Sequence, residues 1–235
     1  MYKTKPCFRC TMPSEAPLNV LALNASLKHE PTLSNTGELA TLVLEEMHAL
    51  AQINDDVIRL SDALLPVGLG FREAASDDWP NLVTKIKAAD VVLFCTPIWW
   101  GERSSLMQRV IERLDALDEE YSTTGRSAIK GKVAGIVITG SEDGALSVMG
   151  SIMMVLTWMG FTLPPECAAY WVGEVGQPTS EDRDRRLKNM ATMHMAKNLA
   201  QNLIFYARLL KSRPQTLIPG KATCCEKHAN LDAPA

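Results

Sequence analysis

Three stretches of this 235-residue chain gather hydroxyls, amides, glycines and aromatic rings, each directly after an apolar run. The first is Asn24-Ala25-Ser26-Leu27-Lys28-His29-Glu30-Pro31-Thr32-Leu33-Ser34-Asn35-Thr36, ahead of a helical pattern. A helix N-terminus offers unpaired N–H groups and a positive dipole end, so Ser26, Ser34, Asn35 and Thr36 are suited to a phosphate monoester without any arginine clamp. The same residue types are the preferred N-caps of any helix, and the pattern alone admits both readings. The second stretch, Thr96-Pro97-Ile98-Trp99-Trp100-Gly101-Glu102-Arg103, carries two adjacent tryptophans. Exposed rings near a strand end are costly unless they cover something flat, and Gly101 would let backbone approach a planar ring closely. The alternative is that Trp99 or Trp100 simply closes the core over the sheet edge. The third stretch, Thr139-Gly140-Ser141-Glu142-Asp143-Gly144, is another hydroxyl- and glycine-rich turn leading into a helix.

Other chemistries lack their motifs. Neither GxGxxG nor GxxxxGK[ST] occurs, so dinucleotide-fold and P-loop sites lose their main support. HExxH and GxSxG are absent as well, leaving hydrolysis without an anchor. His29, His48, His194 and His228 are scattered and form no catalytic constellation. Cys95 ends an apolar run and reads as a small core residue rather than a nucleophile. Arg103 is the cation considered for a pyridine-nucleotide phosphate, although a solvated helix start explains it equally well.

The elements that must position these stretches show as changes of hydrophobic period. Leu18–Asn24, Asp90–Cys95 and Lys132–Thr139 are short and rich in Val, Ile and Leu, as expected of parallel strands covered on both faces. Val57–Leu60 is a weaker strand, and Ala168–Trp171 a fifth. Between them, helical spacing runs from Leu39 to Leu50, from Leu106 to Leu117, from Ala145 to Met159 between Gly144 and Gly160, and from Ser180 to Leu210. Strands alternating with helices are the mark of βαβ units, whose right-handed crossovers limit the topology to doubly wound sheets. The predicted fold class is therefore α/β: a doubly wound five-stranded parallel sheet, flavodoxin-like, with strand order 2-1-3-4-5. That order brings all three stretches to the carboxyl ends of neighbouring strands, where open α/β sheets bind ligands.

The predicted domain covers residues 18–213, with an N-terminal extension over 1–17 and a loose tail over 214–235. Hydrophobic residues at 46%, charged residues at 22% and a formal net charge of −3 are ordinary globular values, with no basic surplus for nucleic acid or an anionic membrane. The uncharged run from Ala145 to Leu163 is too short once Gly160 ends its helix, because about 15 residues at roughly 1.5 Å each fall short of a hydrocarbon core of about 30 Å. No apolar segment comes after Lys3, Lys5 and Arg9, so a cytoplasmic location is expected. Cys7 and Cys10 form a CxxC before the first strand, and Cys224 and Cys225 are adjacent. Neither pair has a redox or zinc context, and no metal is expected; the alternative is an ion held by Cys7, Cys10 and one of the C-terminal thiols.

On these motifs the chain resembles the flavodoxin-like NADPH-dependent FMN reductase family, including its multimeric flavodoxin and iron-sulfur flavoprotein relatives. The matching residues run from about Leu18 to Gly173. The first stretch resembles the family's phosphate loop of the type G-S-x-R-x-x-S-N-T, with Ala25 in place of the usual glycine and about two extra residues. The resemblance implies Ser26, Ser34, Asn35 and Thr36 as phosphate ligands. It implies contact of Thr96, Pro97, Ile98, Trp99, Trp100 and Gly101 with the isoalloxazine ring. Thr139, Gly140, Ser141, Glu142, Asp143 and Gly144 would form the third flavin loop. The cluster cysteines of the iron-sulfur members are absent. The function implied by the resemblance is that of an FMN-dependent oxidoreductase, which accepts a hydride from NADPH or NADH and reduces a quinone or another small electron-poor acceptor. A flavodoxin-type electron carrier that docks to protein partners, and a non-enzymatic FMN-binding module, are the alternatives. A homodimer or homotetramer is expected, with Met149, Met153 and Trp158 of the Ala145–Met159 helix at the interface, because they add apolar faces beyond the stripe its own sheet needs.

Overall fold

The computed structural model describes residues 16–125, 127–173 and 180–212. Cys7, Cys10, Cys224 and Cys225, most of the N-terminal extension and the C-terminal tail lie outside the described residues.

Five parallel strands, β1 (Leu18–Asn24), β2 (Ile53–Arg59), β3 (Val91–Trp99), β5 (Val133–Gly140) and β6 (Ala168–Val172), lie in the order β2-β1-β3-β5-β6. A two-residue strand, β4 (Glu102–Arg103), turns back antiparallel on β3. Without β4 this is the expected 2-1-3-4-5 order. β1, β3 and β5 are buried almost throughout, which is why they read as continuous apolar runs. β2 is an edge strand with exposed Asn54, Asp55 and Asp56, so only its second half shows in the sequence.

Helices cover both faces. α1 (Asn35–Leu50), α6 (Ser180–Lys188) and α7 (Met190–Ser212) lie on one side, where Leu39, Val43 and Met47 meet Leu199, Leu203 and Ala207. α2 (Trp79–Ala88), α3 (Ser105–Arg113), α4 (Asp115–Thr124) and α5 (Ala145–Met159) contribute Trp79, Val83, Val110, Leu117, Ile152 and Leu156 to the other. Three expectations need correcting. The helical spacing over Leu106–Leu117 is two helices, broken at Leu114, and the final helix is broken at Asn189. The third strand does not stop at Cys95 but runs on to Trp99, so Thr96, Pro97, Ile98 and Trp99 are strand residues. Past Cys95 the register with β1 ends while that with β5 continues to Pro97, and a residue without an N–H is tolerated there.

α5 spans the residues expected of it. Gly160 closes the helix in the left-handed conformation with φ of 97°. Val148, Ile152 and Leu156 are buried, Met149 and Met153 are partly buried against the same core, and Trp158 is 89% exposed. No helix among the described residues is long and apolar enough to cross a membrane.

Candidate functional site

A cavity of about 340 Å³ opens where the carboxyl ends of β1, β3, β5 and β6 meet. Eleven of the residues singled out in the sequence line it: Ser26, Asn35, Thr36, Pro97, Ile98, Trp99, Trp100, Thr139, Gly140, Ser141 and Glu142. The strand order explains the meeting, because the chain leaves β1 and β3 toward opposite faces of the sheet and opens a crevice between them.

One end of the cavity is the N-terminus of α1. Ser34 is its N-cap, and its hydroxyl accepts the Gly37 N–H at 3.0 Å. That hydroxyl is also within 3.2 Å of the Asn24 amide nitrogen, so Ser34 is committed to structure and does not line the cavity. Asn24, which carries no signal of its own in the sequence, organises the loop from the end of β1: its Oδ1 accepts the Ser26 N–H at 3.1 Å. Asn35 and Thr36 are the first residues of the helix, and their N–H groups have no partner within it. The Thr36 and Thr139 hydroxyls lie 2.7 Å apart. The rest of the loop is braced from β2, where Arg59 donates to the Thr32 carbonyl at 2.7 Å and pairs with Glu30 at 2.9 Å.

The other end is built by the β3–β4 hairpin. Trp99 pairs with Glu102, leaving Trp100 and Gly101 as a two-residue turn with φ of 52° and 75°. Both central residues with positive φ is the type I′ arrangement whose twist matches flanking strands. Gly101 is therefore required by the turn. A Cβ there would meet no protein atom within 4 Å, so packing within the chain does not demand glycine and the turn does. Trp100, 88% exposed, occupies a conformation that costs a bulky residue energy. The turn is held down by the third loop: the Trp100 N–H donates to the Glu142 carboxylate, and a Cβ on Gly144 would lie 2.8 Å from the Gly101 Cα. Gly101, Asp143 and Gly144 do not line the cavity.

Thr96 is also outside the lining. It is fully buried, accepts the Ser104 N–H at 3.0 Å and so fixes the base of the hairpin. Ser104 caps α3 and donates its hydroxyl to the Ala25 carbonyl at 2.7 Å, which couples the hairpin to the first loop. Arg103 is used internally, with Nε on Gln108 at 2.6 Å and Nη1 on Ser151 at 2.8 Å. Burial pushes the Cys95 thiol well above its ordinary range and also raises that of Cys167, so neither is a thiolate at neutral pH.

Five lining residues are not among the predicted ligands: Leu27 and Lys28, which sit inside the first stretch, and Trp171, Gly173 and Arg186. Trp171 and Gly173 lie at the carboxyl end of β6, a position the strand-end rule covers but where no hydroxyl or turn cluster marks them. Arg186 comes from α6, is 1% exposed, and is ion-paired to Glu38 in the first turn of α1. It places a guanidinium on the cavity wall that the sequence motifs did not point to. Among the described residues, no group of three or more His, Cys, Asp or Glu is arranged to hold a metal.

Comparison with known proteins is consistent across this region. The family model for NADPH-dependent FMN reductase matches residues 18–174. An 8-demethyl-8-aminoriboflavin-5′-phosphate synthase from Streptomyces davaonensis is 28% identical over 208 residues, covering 85% of this chain and 80% of that protein. A protein of Mycobacterium bovis named divalent metal cation transporter MntH is 32% identical over 213 residues, covering 85% of this chain. The chain spans only 31% of that relative's length. Among solved structures, RosB with the bound intermediate 8-demethyl-8-formylriboflavin-5′-phosphate superposes with a TM-score of 0.78 at 26% identity, covering 93% of this chain and 90% of that one.

Proposed function

Because the chain belongs to the NADPH-dependent FMN reductase family, we propose that it holds FMN in the strand-end cavity and transfers electrons from NADPH or NADH to a quinone or another small electron-poor acceptor. The observation that carries this reading is the two-ended cavity: helix N–H groups and hydroxyls at Asn35, Thr36 and Ser26, and an apolar wall at Pro97, Ile98 and Trp99. A phosphate monoester suits the first end and a planar ring the second. The donor set fits the group, since Ser34 satisfies Gly37 and leaves the first two helical N–H groups pointing outward.

The work divides along the cavity. Asn35 and Thr36, with Ser26, hold the phosphate. Ile98, Trp99 and Trp100 bound the ring and exclude water, and Glu142 fixes the hairpin that carries them. The flavin itself supplies hydride acceptance and electron transfer, which is why no acid–base dyad is needed in the cavity. The pyridine-nucleotide donor is a cytoplasmic metabolite, and this supports a cytoplasmic location. A second copy of the chain is proposed to cover α5 at Trp158 and the exposed Met154 beside it, whereas Met149 and Met153, also expected at the interface, are partly buried against the chain's own core.

A second reading, in which FMN is the reactant instead of a resident cofactor, is favoured by one observation. The synthase relative, named for a modified riboflavin phosphate, and RosB, solved with another one bound as an intermediate, match over 85% and 93% of this chain. Mass spectrometry of the flavin recovered after turnover separates the two, because a cofactor returns unchanged. Titration with FMN, riboflavin and FAD tests what both share: FMN binds tightest, while equal affinity for all three would contradict the phosphate end of the site.

A further inference from the structure

We propose that Arg186 is a phosphate-reading residue of this cavity, handed from Glu38 to the phosphate monoester of the flavin when the flavin binds. The inference rests on the reading of the cavity as an FMN site. It concerns a residue beyond the 18–174 segment that the family model matches.

The Arg186 side chain is buried, lines the cavity, and donates from Nη2 to the Glu38 carboxylate. Its Nε is buried with no hydrogen-bond partner. A guanidinium presents Nε and Nη2 on one edge, the edge that matches two oxygens of a phosphate or carboxylate. Here that edge is half used, and the unused donor is costly to leave unmet. Arg113 also has an unpartnered Nε, but its other nitrogens are taken by Asp77, Pro66 and Gly70, and it is not on this cavity wall. Among the described residues, Arg186 alone combines the unmet donor with a place on this wall.

Position selects the anion. Glu38 lies in the first turn of α1, one residue beyond the Gly37 that Ser34 caps, and Asn35 and Thr36 of the same turn are on the wall. Arg186 is thereby anchored beside the N-terminus of α1. A dianionic phosphate seated on the α1 N-terminus would compete with Glu38 for the guanidinium edge, and it would satisfy Nε as well. In the free protein Glu38 keeps the buried charge neutralised, which holds the arginine in place without filling the site.

Titration of the full-length protein with FMN and with riboflavin, monitored by flavin fluorescence, tests this through a double-mutant cycle. Arg186→Met raises the FMN dissociation constant about 10- to 100-fold and leaves riboflavin nearly unchanged. Glu38→Gln tightens FMN several-fold, because the internal competitor is gone, and again spares riboflavin. The gain from Glu38→Gln disappears in the Arg186→Met background. The double variant removes both charges, so it guards against misfolding from an unpaired buried ion, and its circular dichroism is expected to match wild type. Equal losses of FMN and riboflavin in Arg186→Met, or a Glu38→Gln gain that survives without Arg186, would overturn the proposal. So would a change confined to NADPH over NADH with FMN affinity intact, since that assigns the arginine to the nucleotide donor. Failure of the wild type to bind either flavin would instead overturn the reading of the cavity, and this inference with it.

Discussion

The Thr36 and Thr139 hydroxyls form a buried hydrogen bond of 2.7 Å that joins the first turn of α1 to the end of β5. Two residues separated by 103 positions thus define the floor between the first and third loops. Replacing Thr36 by alanine leaves the Thr139 hydroxyl without its partner, which costs about 1–2 kcal/mol of stability in urea unfolding. FMN affinity should fall about tenfold and riboflavin affinity much less. Thr36→Ser, which keeps the hydroxyl, should restore most of both.

The hairpin turn trades stability for exposure of a ring. Trp100→Gly relieves the positive φ and should stabilise the fold by about 1 kcal/mol, while weakening FMN and riboflavin alike. Gly101→Val places a branched residue at φ of 75° and should destabilise by about 1–2 kcal/mol without filling the cavity, since its Cβ faces open space. Loss of flavin binding in Gly101→Val at full stability would contradict a purely conformational role for this glycine.

Acid stability should depend on Asp77, which is buried with Arg113 at 2.7 Å, while Arg113 also stacks on Trp79. Burial works to raise the Asp77 carboxyl. The hydrogen bond from Arg113, the N–H groups of Glu73 and Trp79 and the Arg113 charge outweigh it, so its pKa lies below the ordinary value. A depressed carboxylate pKa adds stability that is present above the unfolded value, about 3.9, and is lost as pH falls through the folded one. Urea midpoints should therefore drop as pH is lowered below about 4, and the drop should be shallower in Asp77→Asn. That variant should also be less stable at neutral pH by about 3–5 kcal/mol, because Arg113 is left buried and unpaired.

If a second copy covers α5, Trp158→Glu should shift light scattering from dimer or tetramer toward monomer with the fold retained. Met154 and Leu69, exposed beside Trp158 along one groove, belong to the same surface. A wild-type monomer at micromolar concentration would contradict the proposal.

The strands and the first and third loops are legible in the sequence because they rest on local signals. Buried parallel strands are continuous apolar runs, and Gly144 and Gly160 punctuate α5 at both ends. The break at Leu114 is hidden because apolar spacing continues through it, with Leu114 and Leu117 both buried. β4 is too short for any period, and its turn carries tryptophan where asparagine or glycine would have signalled a hairpin. Ser34, Thr96 and Gly101 sit in the predicted loops but do not line the cavity, and they serve helix capping, the hairpin base and the turn. Arg186 has no local signal: its place depends on α6 packing beside α1, across 148 positions of sequence.

Electron transfer through FMN in this cavity is tested most directly by mixing the FMN-loaded protein with NADPH or NADH under anaerobic conditions and monitoring the visible absorbance of the flavin. Rapid bleaching by one of the two nucleotides, and return of the colour on adding a quinone, is the expected result. A bound flavin that stays oxidised with both nucleotides would contradict the proposed function.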